Sequence, residues 1–176
     1  MGTMTGEPLG FVFGRRSIRV YTPGEISEAV VIKLLEAAMA APSAMAKDPW
    51  RFVVIRSHNT LASLAGGLPG GQMLATAAVG ILVAGDLEMA LERQVGYLVQ
   101  DCSAAIENLL LAAHALGLGA CWVGVYPSES SSKRVKEILT LPAGIVPIAV
   151  IALGHPGECL PARTRYQQEY VRQEKW

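Results

Sequence analysis

Residues 94–116 place the strongest constraint on the fold. Val95, Leu98, Val99, Cys102, Ala105, Ile106, Leu109, Leu110, Ala113 and Leu116 lie along this stretch. At 3.6 residues per turn they cover more than one face of a helix, and a helix apolar on most sides has to be surrounded. The chain must therefore build its core around one long segment. Gly117 and Gly119 follow directly and stop the helix.

Residues 26–41 form a second helix, because Ile26, Val30, Leu34 and Ala38, then Val31, Leu35 and Met39, recur at helical spacing. Shorter helices are expected over residues 8–14 and 59–65, and from a Ser128 cap to Leu139. Short apolar or β-branched runs at residues 52–56, 79–84, 120–125 and 145–153 read as strands, the last of them central. Residues 66–71, rich in glycine, read as a loop. Few strands scattered among helices predict an α+β fold: a small mixed or antiparallel central sheet flanked by helices. With no repeat, linker or low-complexity tract, residues 1–176 read as a single domain.

Hydrophobic residues make up 51% of the chain and charged residues 17%, against roughly 25% charged in an average soluble domain. The apolar surplus needs cover. A membrane span requires about 20 apolar residues. Residues 143–153 are too few and lie between Pro142 and Pro156, while residues 109–125 are broken by His114 and several glycines. A subunit interface is the remaining outlet. Residues 94–116 support it, being apolar on more faces than a sheet of four strands covers. No basic region leads into an apolar stretch at residues 1–9, so no secretory signal is expected. Cys102, Cys121 and Cys159 are odd in number and form no C-x-x-C, which predicts free thiols and a cytoplasmic setting. His58, His114 and His155 lack metal-ligand spacing, so no metal is expected. Fifteen basic and fifteen acidic residues give zero net charge, which argues against a nucleic-acid partner.

Four motifs carry possible chemistry. The first is Arg15-Arg16-Ser17-Ile18-Arg19. Arginine forks suit phosphate, and in an extended chain Arg15, Ser17 and Arg19 share one face. The pair Arg163 and Arg165 repeats this two-residue spacing near the other end. The second is Ala41-Pro42-Ser43-Ala44 with Pro49-Trp50-Arg51-Phe52, which by itself is a proline-rich helix stop. The third is Gly117-Leu118-Gly119-Ala120-Cys121-Trp122-Val123-Gly124. Its glycines permit close backbone approach, but the spacing is not a dinucleotide fingerprint. The fourth is Leu153-Gly154-His155-Pro156-Gly157, where the histidine reads as a turn residue before it reads as an acid or base. Taken singly, each has an ordinary structural explanation: a solvated basic patch, a helix stop, a helix cap or a turn.

Taken in order, these motifs resemble the nitroreductase family of FMN-dependent oxidoreductases, from about Phe11 to about Tyr170. The resemblance implies an intertwined homodimer with active sites shared between subunits. It implies that Arg15, Ser17, Arg163 and Arg165 hold the FMN phosphate, with Arg16 assisting. Arg19 takes the family's basic place near flavin N1 and O2. Pro42, Ser43 and Ala44 line the flavin from the other subunit, and Val123 and Gly124 aim backbone N–H groups at N5 and O4. Hydride passes from NAD(P)H through flavin N5 to a small acceptor such as a nitroaromatic or quinone, in ping-pong fashion, with no side-chain acid or base required. A non-catalytic flavin-binding or sensor protein, and a flavin-modifying or dehalogenating relative, are the alternatives. The sequence departs from the family at Ala46 and Asp48, where Asn and Gln are usual. A carboxylate at Asp48 should disfavour the reduced flavin unless Lys47 or Arg51 pairs with it. Only residues 86–93 stand where many members insert a helical lid, so the site should be open there. The tail 166–176, polar but carrying Tyr166, Tyr170 and Trp176, is expected to reach across the partner.

Overall fold

The structure, a computed structural model, describes residues 8–176. Five helices alternate with five strands: α1 (Gly10–Gly14), β1 (Tyr21–Thr22), α2 (Glu28–Met39), β2 (Trp50–Ile55), α3 (His58–Gly67), β3 (Val79–Asp86), α4 (Val95–Ala115), β4 (Gly119–Gly124), α5 (Glu129–Leu139) and β5 (Ile145–Pro156). Three serines start helices as their chemistry predicts. Ser27, Ser57 and Ser128 each accept a backbone N–H three residues on, from Val30, Thr60 and Ser131.

All strand pairs are antiparallel, so the sheet is not mixed. β5 is its axis. It pairs with β3 and with β4, and its last two residues pair with the two-residue β1, while β2 completes the far side of β3. The single parallel contact among the described residues is an isolated bridge between Ser17 and Ala120 on β4. Pro147–Gly154 of β5 and Val79–Gly85 of β3 are buried without interruption. Strands covered on both faces have no polar side to alternate, which is why they read as continuous apolar runs.

The two faces carry separate cores. Val79, Ile81, Val83, Ile151 and Leu153 pack on one face with α2 and α4. Leu82, Ala84, Val150 and Ala152 pack on the other with Leu61 and Leu64 of α3 and Val135 of α5. α4 lies so close to the sheet that a Cβ on Gly85 would stand 2.4 Å from Leu98 Cγ. The expectation that α4 is apolar on more faces than the sheet covers has one answer within the chain. The second side of α4 is covered by α2 of the same chain, with Asn108 Nδ2 donating to Ala37 O at 3.1 Å. Ile106 and Leu110 are core residues, at 0% and 3% exposure. Apolar side chains left open include Val95 and Leu116 at the two ends of α4 and Leu9, Phe11, Val12 and Phe13 around α1.

Between β3 and α4 stand only a turn and the three-residue 3-10 helix Leu91–Arg93, so that side carries no long helical insertion. Beyond β5 the chain is exposed, and Tyr166, Tyr170 and Trp176 have little cover. Among the described residues no helix is long and apolar enough to cross a membrane.

Candidate functional site

The arginine cluster forms a cavity of about 350 Å³ lined by Val12, Arg15, Arg16, Ser17, Arg163 and Arg165. Residues separated by about 150 positions meet there for identifiable reasons. The Ser17 bridge to Ala120 lays the N-terminal segment along β4. The Arg163 N–H donates to Phe13 O at the end of α1 (3.1 Å), and Arg16 Nη1 donates to Pro161 O, which together fold the tail back over the cluster. Arg15 Nε contacts Glu107 Oε1 of α4 at 3.0 Å. Crowding is felt at Arg163, whose guanidinium is held below its ordinary range by Arg16, then Arg165, with burial and Arg15 adding. Four guanidinium groups facing one Glu107 carboxylate leave a net positive hollow, and an anion with several oxygens relieves that repulsion.

Simple strand alternation is overturned here. Arg16 lines the cavity beside Arg15 and Ser17, whereas Arg19 does not. The segment is held by one isolated bridge rather than a regular strand, so strict two-residue periodicity does not govern it. Arg19 sits further along. Its N–H donates to Glu158 Oε1 (2.6 Å), as does that of Val20 (3.1 Å), and its own Nη1 reaches Ser17 O at 3.4 Å.

Pro42, Ser43 and Ala44 open a tight loop outside the cavity. Ser43 Oγ donates to Asp48 Oδ1 (2.5 Å), and the Asp48 N–H returns to Ser43 Oγ (3.0 Å). Met45, Ala46 and Asp48 adopt φ values of 51°, 52° and 47°, a left-handed conformation that side chains resist. Asp101 of α4 anchors the loop by accepting the Ala44 N–H at 2.9 Å. It is only 5% exposed, and its Oδ2 has no hydrogen-bond partner among the described residues. Arg51 pairs with Asp86 Oδ2 at 3.1 Å rather than with the Asp48 carboxylate. Neither Arg51 nor Lys47 forms an ion pair with Asp48 among the described residues.

β4 lies across the sheet from this loop and has one edge free beyond Ala120. Val125 N–H donates to Ile148 O on β5 (3.0 Å), while Ala120 O, facing the other way, accepts from Ile18 N–H (2.9 Å). Backbone groups of successive strand residues point to opposite edges. The Val123 N–H is therefore taken up within the sheet, and of the two expected donors only the Gly124 N–H, directed toward the open edge, is left free.

His155 is a strand residue of β5 rather than the turn residue expected. It pairs with Thr22, and its Nε2 lies 3.1 Å from Glu25 O. The three cysteines are free, with Cys102 and Cys121 buried and Cys159 exposed. Burial, with Asp101 adding, pushes the Cys102 thiol up to about 12. Asp101, Glu107 and Glu158 escaped the sequence reading. The first two are polar positions within a helix read for its apolar stripe, and Glu158 belongs to no spacing pattern. The only available signal was a lone acidic residue inside an otherwise apolar run, at Asp101.

The profile of the nitroreductase family matches residues 12–68 and 67–155. A protein of Archaeoglobus fulgidus, provisionally named an NADH dehydrogenase/NAD(P)H nitroreductase, is 41% identical over 173 residues, covering 97% of this chain and 99% of its own. The crystal structure of a similarly named protein from Bacteroides thetaiotaomicron superposes with a TM-score of 0.91 at 35% identity, covering 98% of this chain and 100% of that one. A provisionally named nitroreductase from Desulfovibrio desulfuricans, solved in complex with FMN, superposes with a TM-score of 0.83 at 35% identity, covering 98% and 99%.

Proposed function

This chain belongs to the nitroreductase family, and on that premise we propose that it is an FMN-dependent oxidoreductase, taking hydride from NAD(P)H and delivering it to a small acceptor such as a nitroaromatic or a quinone. The observation that carries the reading is the cavity where Arg15, Arg16, Ser17, Arg163 and Arg165 converge. Its size, polarity and mutual repulsion suit the terminal phosphate of FMN. When bound at this site, FMN would supply the redox chemistry.

The chain's own residues bind and orient. Arg163 and Arg165 close over the phosphate from the tail, and Arg15, Arg16 and Ser17 hold it from the N-terminal side. Arg19, outside the phosphate cavity, supplies positive charge where negative charge collects on the reduced ring. The Gly124 N–H, on the free edge of β4, offers the ring a donor. Pro42, Ser43 and Ala44 do not line the cavity of their own chain and serve the partner's site. No side-chain acid or base is needed.

A homodimer with two shared sites accounts for the exposed apolar side chains at Leu9, Phe11, Val12 and Phe13, since Val12 also lines the cavity. An obligate interface of this kind buries roughly 2,000–5,000 Å². The exposed tail with Tyr166, Tyr170 and Trp176 reaches over the partner. The whole chain acts as one cofactor-binding domain, in the cytoplasm, where three unpaired thiols persist.

Steady-state kinetics test the reading. Purified protein, NADH or NADPH, and a panel of nitroaromatics and quinones should give parallel double-reciprocal plots, the mark of two separate half-reactions. A yellow protein that no nicotinamide reduces would instead mark a flavin-binding protein without this activity.

A further inference from the structure

We propose that Glu158 is a positioning residue: its carboxylate holds the Arg19–Val20 backbone and thereby fixes where the Arg19 guanidinium meets the flavin ring. The inference rests on the reading that Arg19 faces FMN.

The segment from Ser17 to Thr22 is fastened on both sides of Arg19. Before it, the Ile18 N–H donates to Ala120 O at 2.9 Å. After it, Tyr21 and Thr22 pair with Pro156 and His155, and the Gly157 N–H donates to Val20 O at 2.8 Å. The Tyr21 hydroxyl lies 2.8 Å from Ile18 O and 3.2 Å from Ala152 O, tying the segment to β5. The sheet leaves the amides of Arg19 and Val20 for another acceptor, and both converge on Glu158 Oε1, at 2.6 and 3.1 Å. Glu158 can reach them because the chain beside it passes closely: a Cβ on Gly157 would stand 3.0 Å from Val20 Cγ1. Hydrogen bonds from the two backbone amides, the Arg19 N–H first, with the Arg19 charge adding, hold the Glu158 carboxyl below the usual range, so it accepts as a carboxylate at neutral pH.

The Arg19 side chain is left available. Its guanidinium makes one long contact, to Ser17 O at 3.4 Å, and has no carboxylate within ion-pair distance among the described residues. A flexible cation with so little to hold its tip depends on its backbone for direction. Preorganised charge is effective only when it is already in place as charge develops.

Two conservative variants separate position from charge. Glu158→Gln keeps an oxygen that can accept both amides and removes the charge. Glu158→Asp keeps the charge and is one methylene too short to reach both. Three quantities are measured on the FMN-loaded protein: hydrogen exchange at the Arg19 and Val20 amides, the midpoint potential of the flavin, and its reduction rate by NADPH or NADH. Positioning predicts that Glu158→Gln stays near wild type in all three. It predicts that Glu158→Asp exchanges both amides faster, shifts the potential and slows reduction by about tenfold, a fraction of what complete loss of such a charge costs. FMN affinity, set at the arginine cavity, should barely change. Faster exchange without a change of potential or rate would mean a merely structural bond and overturn the proposal. So would Glu158→Gln impaired as much as Glu158→Asp, because charge rather than reach would then matter. A wild-type protein that takes up no FMN would overturn the underlying cofactor reading, whereas a loaded wild type with unaffected variants overturns only the role of Glu158.

Discussion

Replacing Asp101 with alanine should loosen the Ser43–Asp48 loop while leaving the rest of the fold in place. Three left-handed side-chain residues, Met45, Ala46 and Asp48, cost roughly 1–2 kcal/mol each. Few bonds oppose that strain. The Ser43–Asp48 side-chain pair and the turn bonds Ala46 N–Ser43 O and Lys47 N–Ala44 O (3.1 Å each) are internal to the loop. The bond from Ala44 N–H to Asp101 ties it to α4. A hydrogen bond to a carboxylate contributes about 1.5–3 kcal/mol. Removing it also removes the buried, unpartnered Oδ2, which returns part of that loss. A net destabilisation of about 1–2 kcal/mol lowers Tm by about 2–8 °C in a domain of this size. Asp101→Asn should be no milder. Its amide nitrogen takes the place of the unpartnered oxygen and becomes a buried donor with no acceptor, which costs about 1–3 kcal/mol. Thermal unfolding at fixed protein and FMN concentration, with hydrogen exchange at Ala44–Lys47, reads both effects. A Tm for Asp101→Ala equal to wild type, with unchanged exchange in the loop, would refute the reasoning.

Other consequences are open to equally direct tests. Arg51 Nη1 reaches the Asp48 main-chain oxygen at 3.5 Å, but the Asp48 carboxylate bonds only Ser43 and forms no ion pair among the described residues, so Asp48→Asn should raise the midpoint potential of bound FMN. Identical potentials by spectroelectrochemistry would place the carboxylate away from the flavin. Phe11→Glu, at an exposed position on α1, should dissociate the dimer and release FMN together, and sedimentation with absorbance detection would reveal a flavin-loaded monomer if the sites are not shared. Burial holds the thiols of Cys102 and Cys121 above their ordinary range, so a thiol reagent at neutral pH should modify Cys159 alone, one thiol per chain. Rapid modification of a second thiol would show that the core opens.

Periodicity made the helices and the main strands legible. Residues 26–41 and 94–116 shrink only at their ends, to α2 and α4, and the four expected strands are β2 to β5. β1 has two residues, too few for any pattern, and exists because β5 extends past Leu153 to receive it. What covers α4 was not legible. An apolar stripe announces that it is buried, not against what, and α2 covers a face of α4 that nothing in the sequence assigned to it. That the arginines would meet was legible because Arg15–Ser17 and Arg163–Arg165 are recognisable by residue type at both ends of the chain, and they line one cavity. The fixing carboxylates were not. Asp101, Glu107 and Glu158 act through one or two contacts to distant backbone or side chains, and such contacts leave no spacing behind. The expectations failed at Arg16 and at Val123 for opposite reasons: the first lies in a segment that is not a strand, so alternation does not govern it, whereas in β4 the backbone alternates strictly and turns the Val123 N–H into the sheet.

The central claim is that the arginine cavity recognises the phosphate of FMN. Fluorescence titration of flavin-free protein with FMN and with riboflavin, which shares the ring system and lacks the phosphate, tests it most directly. Charge-assisted bonds to several arginines predict FMN binding at least about tenfold tighter than riboflavin, since each such bond contributes about 1.5–3 kcal/mol. The preference should collapse when Arg163 and Arg165 are both replaced by alanine. Equal affinity of the wild type for FMN and riboflavin, or a preference that survives the double replacement, would contradict the account.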